Sequence, residues 1–198
     1  MAIKYQFNKI ALQSLRKQLK IRENALPTLK SKESALRLTV KKYKDALKEL
    51  EKQYEKKIAE LNKFKKLWSE FPDDVFTLRE AVLTEKKIAG IKEPALDKIN
   101  YEIKDFSRFI RPPWLTSGLV ILKEITEIIT KIKITEKATE ILEYARRKTT
   151  QKVNLYEKVQ IPEYSQGILK IKRFLEDVEN LEKAAQKITK QKQAAQGV

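Results

Sequence analysis

The sequence has no cysteine and no histidine among its 198 residues. The lack of cysteine excludes a disulfide framework and zinc held by thiolates. The lack of histidine removes the commonest general base, the Ser-His and Cys-His nucleophile pairs, and metals bound by imidazole. Walker A, GxGxxG and nucleophile-elbow motifs are absent as well. The sequence therefore predicts a chain that is not itself an enzyme, with no catalytic residues, no cofactor and no metal.

Glycine and proline are also scarce, with 4 and 6 residues, whereas 35% of the chain is charged. Such a composition, rich in Ala, Glu, Lys and Leu, is typical of long helices and coiled coils. The longest apolar run, Gly118–Leu122, is far too short to cross a membrane, and the N-terminal residues lack the apolar core of a secretory signal. We expect a soluble chain with no direct membrane insertion.

The formal net charge is +16. Nucleic acid, an anionic membrane surface and an acidic protein partner would each match this charge. The basic residues are spread along the chain and interleaved with glutamates, as on a solvated helix surface. Nucleic-acid binding would require exposed aromatic platforms, and the aromatic residues of the first half fall on a predicted helix core instead. The sequence therefore favours no nucleic-acid partner.

The first 71 residues carry an apolar heptad seam. Counted in sevens, the a positions are Leu12, Leu19, Leu26, Glu33, Val40, Leu47, Tyr54, Leu61 and Trp68, and the d positions are Leu15, Arg22, Leu29, Leu36, Tyr43, Leu50, Lys57 and Phe64. Only Arg22, Glu33 and Lys57 interrupt it. A sustained repeat of this kind predicts a coiled-coil helix. The seam stays in phase across Pro27, which favours a kink over a break.

The amino-acid composition changes between residues 72 and 113, where four prolines and Gly90 occur. Alternating Ile99, Tyr101 and Ile103 predict that Lys86–Phe106 forms two short strands around a turn, with Pro94 at the turn or at a strand edge. We therefore divide the chain into an N-terminal coiled-coil helix (1–71), a middle insert with a β-hairpin (72–113) and a C-terminal coiled-coil helix (114–198), all in one domain.

A second helical stripe follows the insert, from Leu122 through Ile125 and Ile129 to Ile188. Folding this helix back onto the first buries both stripes, so we predict a mainly α fold of two very long antiparallel helices. An intermolecular coiled coil would bury the same stripes. Pro162 either begins a new helix or lies in a loosened turn of one continuous helix; we predict the continuous helix.

Four stretches of the chain carry motifs. Leu29–Leu36 reads LKSKESAL, Lys87–Pro94 reads KIAGIKEP and Lys152–Pro162 reads KVNLYEKVQIP, and the fourth stretch is Ile168–Lys190. The first three are similar to the patterns L-K-x-K-R-D-x-L, n-I-x-G-v-x-v-P and R-V-N-A-L-E-x-v-x-I-P, and the fourth to the C-terminal segment, of one family. That family, which the chain resembles, is the D subunit of the V-type and archaeal-type rotary ATPases, the central rotor shaft. The motif residues are Gly90, Pro94, Val153, Asn154, Glu157, Ile161 and Pro162.

The match departs from the family pattern at several positions. Glu33 and Ser34 stand where the family has Arg and Asp, and Lys152 replaces Arg. Leu155 and Tyr156 replace Ala and Leu. The resemblance therefore identifies a divergent, bacterial-looking member of the family.

The resemblance implies a non-catalytic shaft that transmits torque between a nucleotide-hydrolysing hexamer and the membrane ion-translocating ring. The implied partners are the catalytic and nucleotide-binding hexamer subunits, the small companion F subunit of the rotor and the socket subunit of the membrane rotor. The implied location is cytoplasmic, on the inner face of the membrane. We predict that six basic residues pass an acidic collar in the hexamer cavity: Arg16, Lys17, Lys20, Lys183, Lys187 and Lys190.

Two other classes of protein remain compatible with the sequence. A prefoldin-like chaperone or scaffold also joins two helices through a β-hairpin, but its helix tips would be apolar. The termini here are polar or basic apart from Ile3, Tyr5 and Phe7. A basic nucleic-acid-binding coiled coil would show steeply salt-dependent binding.

Overall fold

The structure, a computed structural model, describes residues 4–72, 75–104 and 113–196. Helix α1 spans Lys9–Asn62, and a single turn, α2, spans Lys65–Trp68. Strands β1 (Phe76–Ile88) and β2 (Ile91–Ile103) follow. The returning helix consists of α3 (Trp114–Asn154), a π-helical segment (Leu155–Gln160) and α4 (Ile161–Gln196). The predicted fold class is confirmed: a long antiparallel helical hairpin, with a two-stranded sheet inserted between its helices.

Helix α1 follows the predicted seam. Every a and d position from Leu12 to Leu61 is buried or half-buried, including the three polar ones. The helix continues through Pro27, so the prediction that this proline does not break it is confirmed. Pro27 is exposed, which allows water to satisfy the backbone carbonyl that loses its donor there.

The end of the first helix differs from the prediction. Helix α1 ends at Asn62, and Phe64 is 59% exposed rather than part of the seam. Trp68 instead stacks on Phe71 with ring centroids 5.6 Å apart, and both rings lie 6.0 Å from that of Trp114. The last aromatic residue that the heptad count placed in the coiled coil packs in this aromatic cluster instead.

The described chain divides into two compact units. The first combines the chain up to Ser31 with the chain from Thr149 onward. Its core is Leu12, Leu15 and Ile171, on which Tyr164 and Leu175 pack. Lys30 pairs with Glu157 at 2.6 Å. Since later residues of α1 meet earlier residues of the returning helix, the two segments run antiparallel.

The second unit spans Lys32–Lys148. Leu36, Val40 and Leu142 form its buried core. Lys57 pairs with Glu124 at 2.8 Å, which fixes the same antiparallel direction. Here too the seam of α1 is covered by the returning helix of the same chain.

The hairpin in the second unit is longer than predicted. Its strands pair from Phe76↔Ile103 to Ile88↔Ile91, so β1 begins ten residues before Lys86. The turn is Ala89–Gly90, with φ of 50° and 77°, the two-residue geometry that favours glycine. Pro94 lies within β2 opposite Glu85, not at the turn. Phe106 and residues 105–112 of the predicted insert lie outside the described residues.

The returning helix is continuous through Pro162, as predicted, and the predicted loosened turn is the π-helical segment Leu155–Gln160. Across the π-helical segment the backbone N–H of Ile161 donates to the carbonyl of Tyr156, five residues earlier. Pro162 then occupies the first turn of α4, where a missing N–H costs least. The wide turn therefore lies directly before the proline.

We predict that Leu142→Ala lowers the free energy of unfolding by about 2–5 kcal/mol, because this fully buried side chain would leave a cavity. Ile141→Ala, at a neighbouring position that is 37% exposed, is the matched control and should cost far less. Urea denaturation followed by circular dichroism measures both. Equal losses would contradict the burial of the seam described here.

Candidate functional site

The described residues offer no metal-binding group and no membrane span. No three acidic side chains converge as ligands anywhere in the described ranges. None of the described helices combines the length and apolarity that a bilayer crossing requires. The candidate features are basic and apolar surfaces, the π-helical segment and two polar contacts between elements.

The six basic residues predicted to face the hexamer cavity all lie in the first unit and are exposed. They form two groups. Arg16, Lys17 and Lys20 follow the buried Leu15 on α1, whereas Lys183, Lys187 and Lys190 lie on α4 well beyond Ile171, which shares a core with Leu15. Twelve residues of helix separate Ile171 from Lys183, or about 18 Å. The fold does not gather the six into one patch.

Helix α4 carries an apolar stripe into this basic segment, at alternating gaps of three and four: Ile171, Phe174, Val178, Leu181, Ala185 and Ile188. Its first residues are covered within the chain, because Phe174 packs on Phe7 with ring centroids 5.1 Å apart. Leu181 and Ile188 are 70% and 53% exposed. In the described part of the chain, nothing covers the last two turns of the stripe.

The seven motif residues fall into two separate groups. Val153, Asn154, Glu157, Ile161 and Pro162 lie in the first unit around the π-helical segment, and Gly90 and Pro94 lie in the hairpin of the second. Val153 and Ile161 are half-buried, whereas Asn154 and Pro162 are exposed. Glu157 forms the ion pair with Lys30. In the first group, Glu157 links the π-helical segment to α1 through this ion pair.

Arg22, a polar residue on the seam, is the main tether of that segment. Its Nε donates to Oε1 of Gln160 at 2.6 Å. Its guanidinium lies 4.4 Å from the ring centre of Tyr164 and 5.8 Å from that of Tyr156, within the range of cation–π attraction. One side chain of α1 thus contacts the π-helical segment and the turn after it.

A second polar tether lies in the second unit. The phenol of Tyr43, on α1, donates a hydrogen bond to Oε1 of Glu93 on β2. Glu93 is 2% exposed, and its Oε2 has no hydrogen-bond partner in the described parts of the chain. Burial raises the pKa of Tyr43 to about 12, and the hydrogen bond and charge of Glu93 act in the same direction. The pair holds the hairpin on the helices.

The family of the chain follows from its similarity to known proteins. Residues 11–191 match the family described as the D subunit of ATP synthase. The chain belongs to this family. The resemblance found in its motifs is therefore confirmed.

Relatives in this family come from bacteria. The D subunit of V-type ATP synthase from Borreliella burgdorferi is 31% identical over 189 residues, which cover 94% of each chain. The protein of the same name from Chlamydia trachomatis serovar L2 is 31% identical over 175 residues, covering 84% of this chain and 85% of its own. That of Chlamydia pneumoniae is 25% identical over 182 residues, covering 89% and 87%. Identities this low fit the prediction of a divergent, bacterial-looking member.

Two features of this D-family chain escaped the sequence interpretation. The Arg22 tether was visible only as a break in the seam, because its hydrogen-bond partner Gln160 lies 138 residues away. Glu93 gave no signal, since an acidic residue in a short amphipathic strand usually faces solvent. The buried position of Glu93 depends on how the hairpin packs against α1.

We predict that Arg22→Met loosens the π-helical segment and lowers the free energy of unfolding by about 1–3 kcal/mol, since it removes a charge-assisted hydrogen bond and the cation–π contacts. Hydrogen exchange of the amides from Leu155 to Tyr164 should accelerate. Arg173→Met, at an exposed position on α4, is the control. Unchanged exchange in Arg22→Met would show that the arginine does not hold this segment.

We also predict that Tyr43 ionises at a higher pH than an ordinary tyrosine. Because its folded pKa exceeds the unfolded value of about 10, its contribution to stability is complete below that pH and is lost as pH rises through about 12. Near-ultraviolet titration of the wild type minus Tyr43→Phe isolates its phenolate. Glu93→Gln should lower this pKa without restoring it fully, because burial remains; no change at all would refute the pairing.

Proposed function

We propose that this chain is the central-stalk rotor subunit of a V-type ATPase or ATP synthase. In this role it transmits torque between the nucleotide-hydrolysing hexamer and the membrane ion-translocating ring. The observation that carries the proposal is family membership over residues 11–191. Such a subunit needs no active site of its own. The family match favours this role over a prefoldin-like chaperone or a nucleic-acid-binding coiled coil.

The paired helices suit the transmission of torque. In each unit the seam of α1 packs against the returning helix, and cross-helix ion pairs such as Lys30–Glu157 and Lys57–Glu124 resist sliding. Packed cores deform little, because side chains interdigitate at crystal-like density. A twist applied to one helix is therefore passed to the other.

The first unit, which carries the chain termini, is proposed to enter the hexamer of catalytic and nucleotide-binding subunits. The uncovered stripe at Leu181, Ala185 and Ile188 would meet apolar side chains there, because exposed apolar patches mark interaction sites. Lys183, Lys187 and Lys190 flank this stripe and would face acidic residues of the collar. Arg16, Lys17 and Lys20 would contact the collar at a separate level along the shaft.

The second unit, which carries the hairpin, is proposed to face the socket subunit of the membrane rotor. The small companion F subunit would bind beside the coiled coil. The complex would hold the chain on the cytoplasmic, inner face of the membrane as a peripheral subunit. These assignments rest on family membership and are tested by assembly.

The proposal predicts that neutralising the six basic residues to glutamine reduces coupling. The complex is reconstituted with the other subunits of the same organism, and ions transported per ATP hydrolysed are measured. The ratio should fall several-fold while hydrolysis continues, because the collar loses its charge partners. The control for net charge neutralises six exposed lysines outside both groups: Lys52, Lys56, Lys63, Lys65, Lys66 and Lys133.

Two results would count against the proposal, at different levels. If the wild-type chain does not assemble with the hexamer, the rotor role is wrong. If it assembles but the six-residue variant couples normally, the collar contacts are wrong and the rotor role stands.

A further inference from the structure

A basic groove lies in the second unit, between α1 and α3. It measures about 300 Å³, and its lining consists of Arg37, Val40, Lys41, Lys44, Asp45, Lys48, Glu143 and Arg146. Five of these side chains are cationic and two are acidic. The groove therefore has a local excess of positive charge.

The carboxylate of Glu143 lies close to several cations of the groove. Glu143 lies 3.3 Å from Nζ of Lys44, 3.7 Å from Arg146 and 3.8 Å from Arg147. The hydrogen bond from Lys44 and the charges of the three cations hold the pKa of Glu143 below its ordinary value. Charge-assisted hydrogen bonds to arginine are normally about 2.7–2.9 Å long. Both arginines are thus attracted to Glu143 without being hydrogen-bonded to it.

The remaining cations have spare binding capacity. Within the described residues, the side chain of Arg146 donates no hydrogen bond, and Lys41 and Lys48 have no ion-pair partner. The side chain of Arg146 is 26% exposed, so its guanidinium is partly desolvated and held in the groove. A guanidinium presents a planar fork of donors that matches a carboxylate in two hydrogen bonds. The chain has only nine arginines, and three of them, Arg37, Arg146 and Arg147, lie in or beside this groove.

We propose that this groove docks an acidic segment of another subunit of the complex, whose Asp and Glu side chains pair with Arg146, Lys41 and Lys48. The inference rests on the proposed rotor role for the identity of the complex, but not for the chemistry of the groove. Charge complementarity selects an acidic partner. A protein segment fits better than single-stranded nucleic acid, because no aromatic side chain lines the groove for base stacking.

The test uses the full chain with Lys41→Gln, Lys48→Gln and Arg146→Gln combined. Binding of the purified companion subunit and of the assembled hexamer is measured by calorimetry at several salt concentrations. We expect the affinity for one of these partners to fall about tenfold or more and its salt dependence to flatten, since three charges leave the interface. Lys63→Gln, Lys65→Gln and Lys66→Gln combined, all exposed, remove the same charge elsewhere and should leave binding unchanged.

The absence of cysteine from the chain allows a second measurement on the wild-type background. Lys48→Cys, labelled with a photo-crosslinker, should crosslink to an Asp- or Glu-rich segment of that partner in the assembled complex. A cysteine at Gln53, exposed on the same helix, should not.

The outcomes separate the two proposals. If both partners bind the wild type and the triple variant equally, or if the crosslinked segment is not acidic, the groove proposal is wrong while the rotor role stands. If the triple variant loses binding to a single-stranded oligonucleotide and to neither partner, the groove is a nucleic-acid site and the proposal is also wrong. If the wild type binds neither partner, the rotor role fails as well.

Discussion

The structure depends on one constraint: the apolar seam of α1 has to be covered along its length. Fifteen successive a and d positions from Leu12 to Leu61 are at least half-buried, and the returning helix of the same chain covers them in both units. In proteins, the packing of an amphipathic face supplies most of a helix's stability, so α1 and the returning helix stabilise each other by covering this seam. The hairpin and the polar tethers are additions to a chain already folded back on itself.

The polar residues on the seam contribute specificity where the apolar ones contribute stability. Leucines at successive heptads would accept a partner displaced by seven residues almost equally well. Arg22 has to meet Gln160 and the rings of Tyr156 and Tyr164, and Lys57 has to meet Glu124. In a displaced pairing Arg22 would keep only its hydrogen bonds to Gln18, and Lys57 only its ion pair with Glu60, both on α1. The hydrogen bonds and ion pair to the returning helix would be lost, which costs stability. These two interruptions of the heptad pattern, one in each unit, are therefore consistent with fixing the register.

The seam and the helical return could be predicted from the sequence, because a heptad repeat over many turns has few interpretations. The extent of the hairpin could not. In β1 most side chains are exposed on both faces, so the strand shows no clean alternation, and its first residues resemble a polar loop. The basic groove was equally hidden, since Lys48 and Arg146 are ordinary surface residues in the sequence. Only the packing of α1 on α3 places them in one groove with Glu143.

The π-helical segment shows how a proline can be accommodated in a helix that has to stay continuous. Proline offers no N–H and its ring crowds the carbonyl of the preceding turn. The turn before Pro162 is wider than an α-helical turn, because the N–H of Ile161 donates to the carbonyl of Tyr156. The backbone carbonyls that accept no helical hydrogen bond are then those near Glu157 and Lys158. Both residues are exposed, so water can satisfy those groups at little cost. The opposite face of the same turn is tethered by Arg22. The defect is thus solvated on one side and held on the other, which keeps the seam covered through a turn that α-helical hydrogen bonding alone would not maintain.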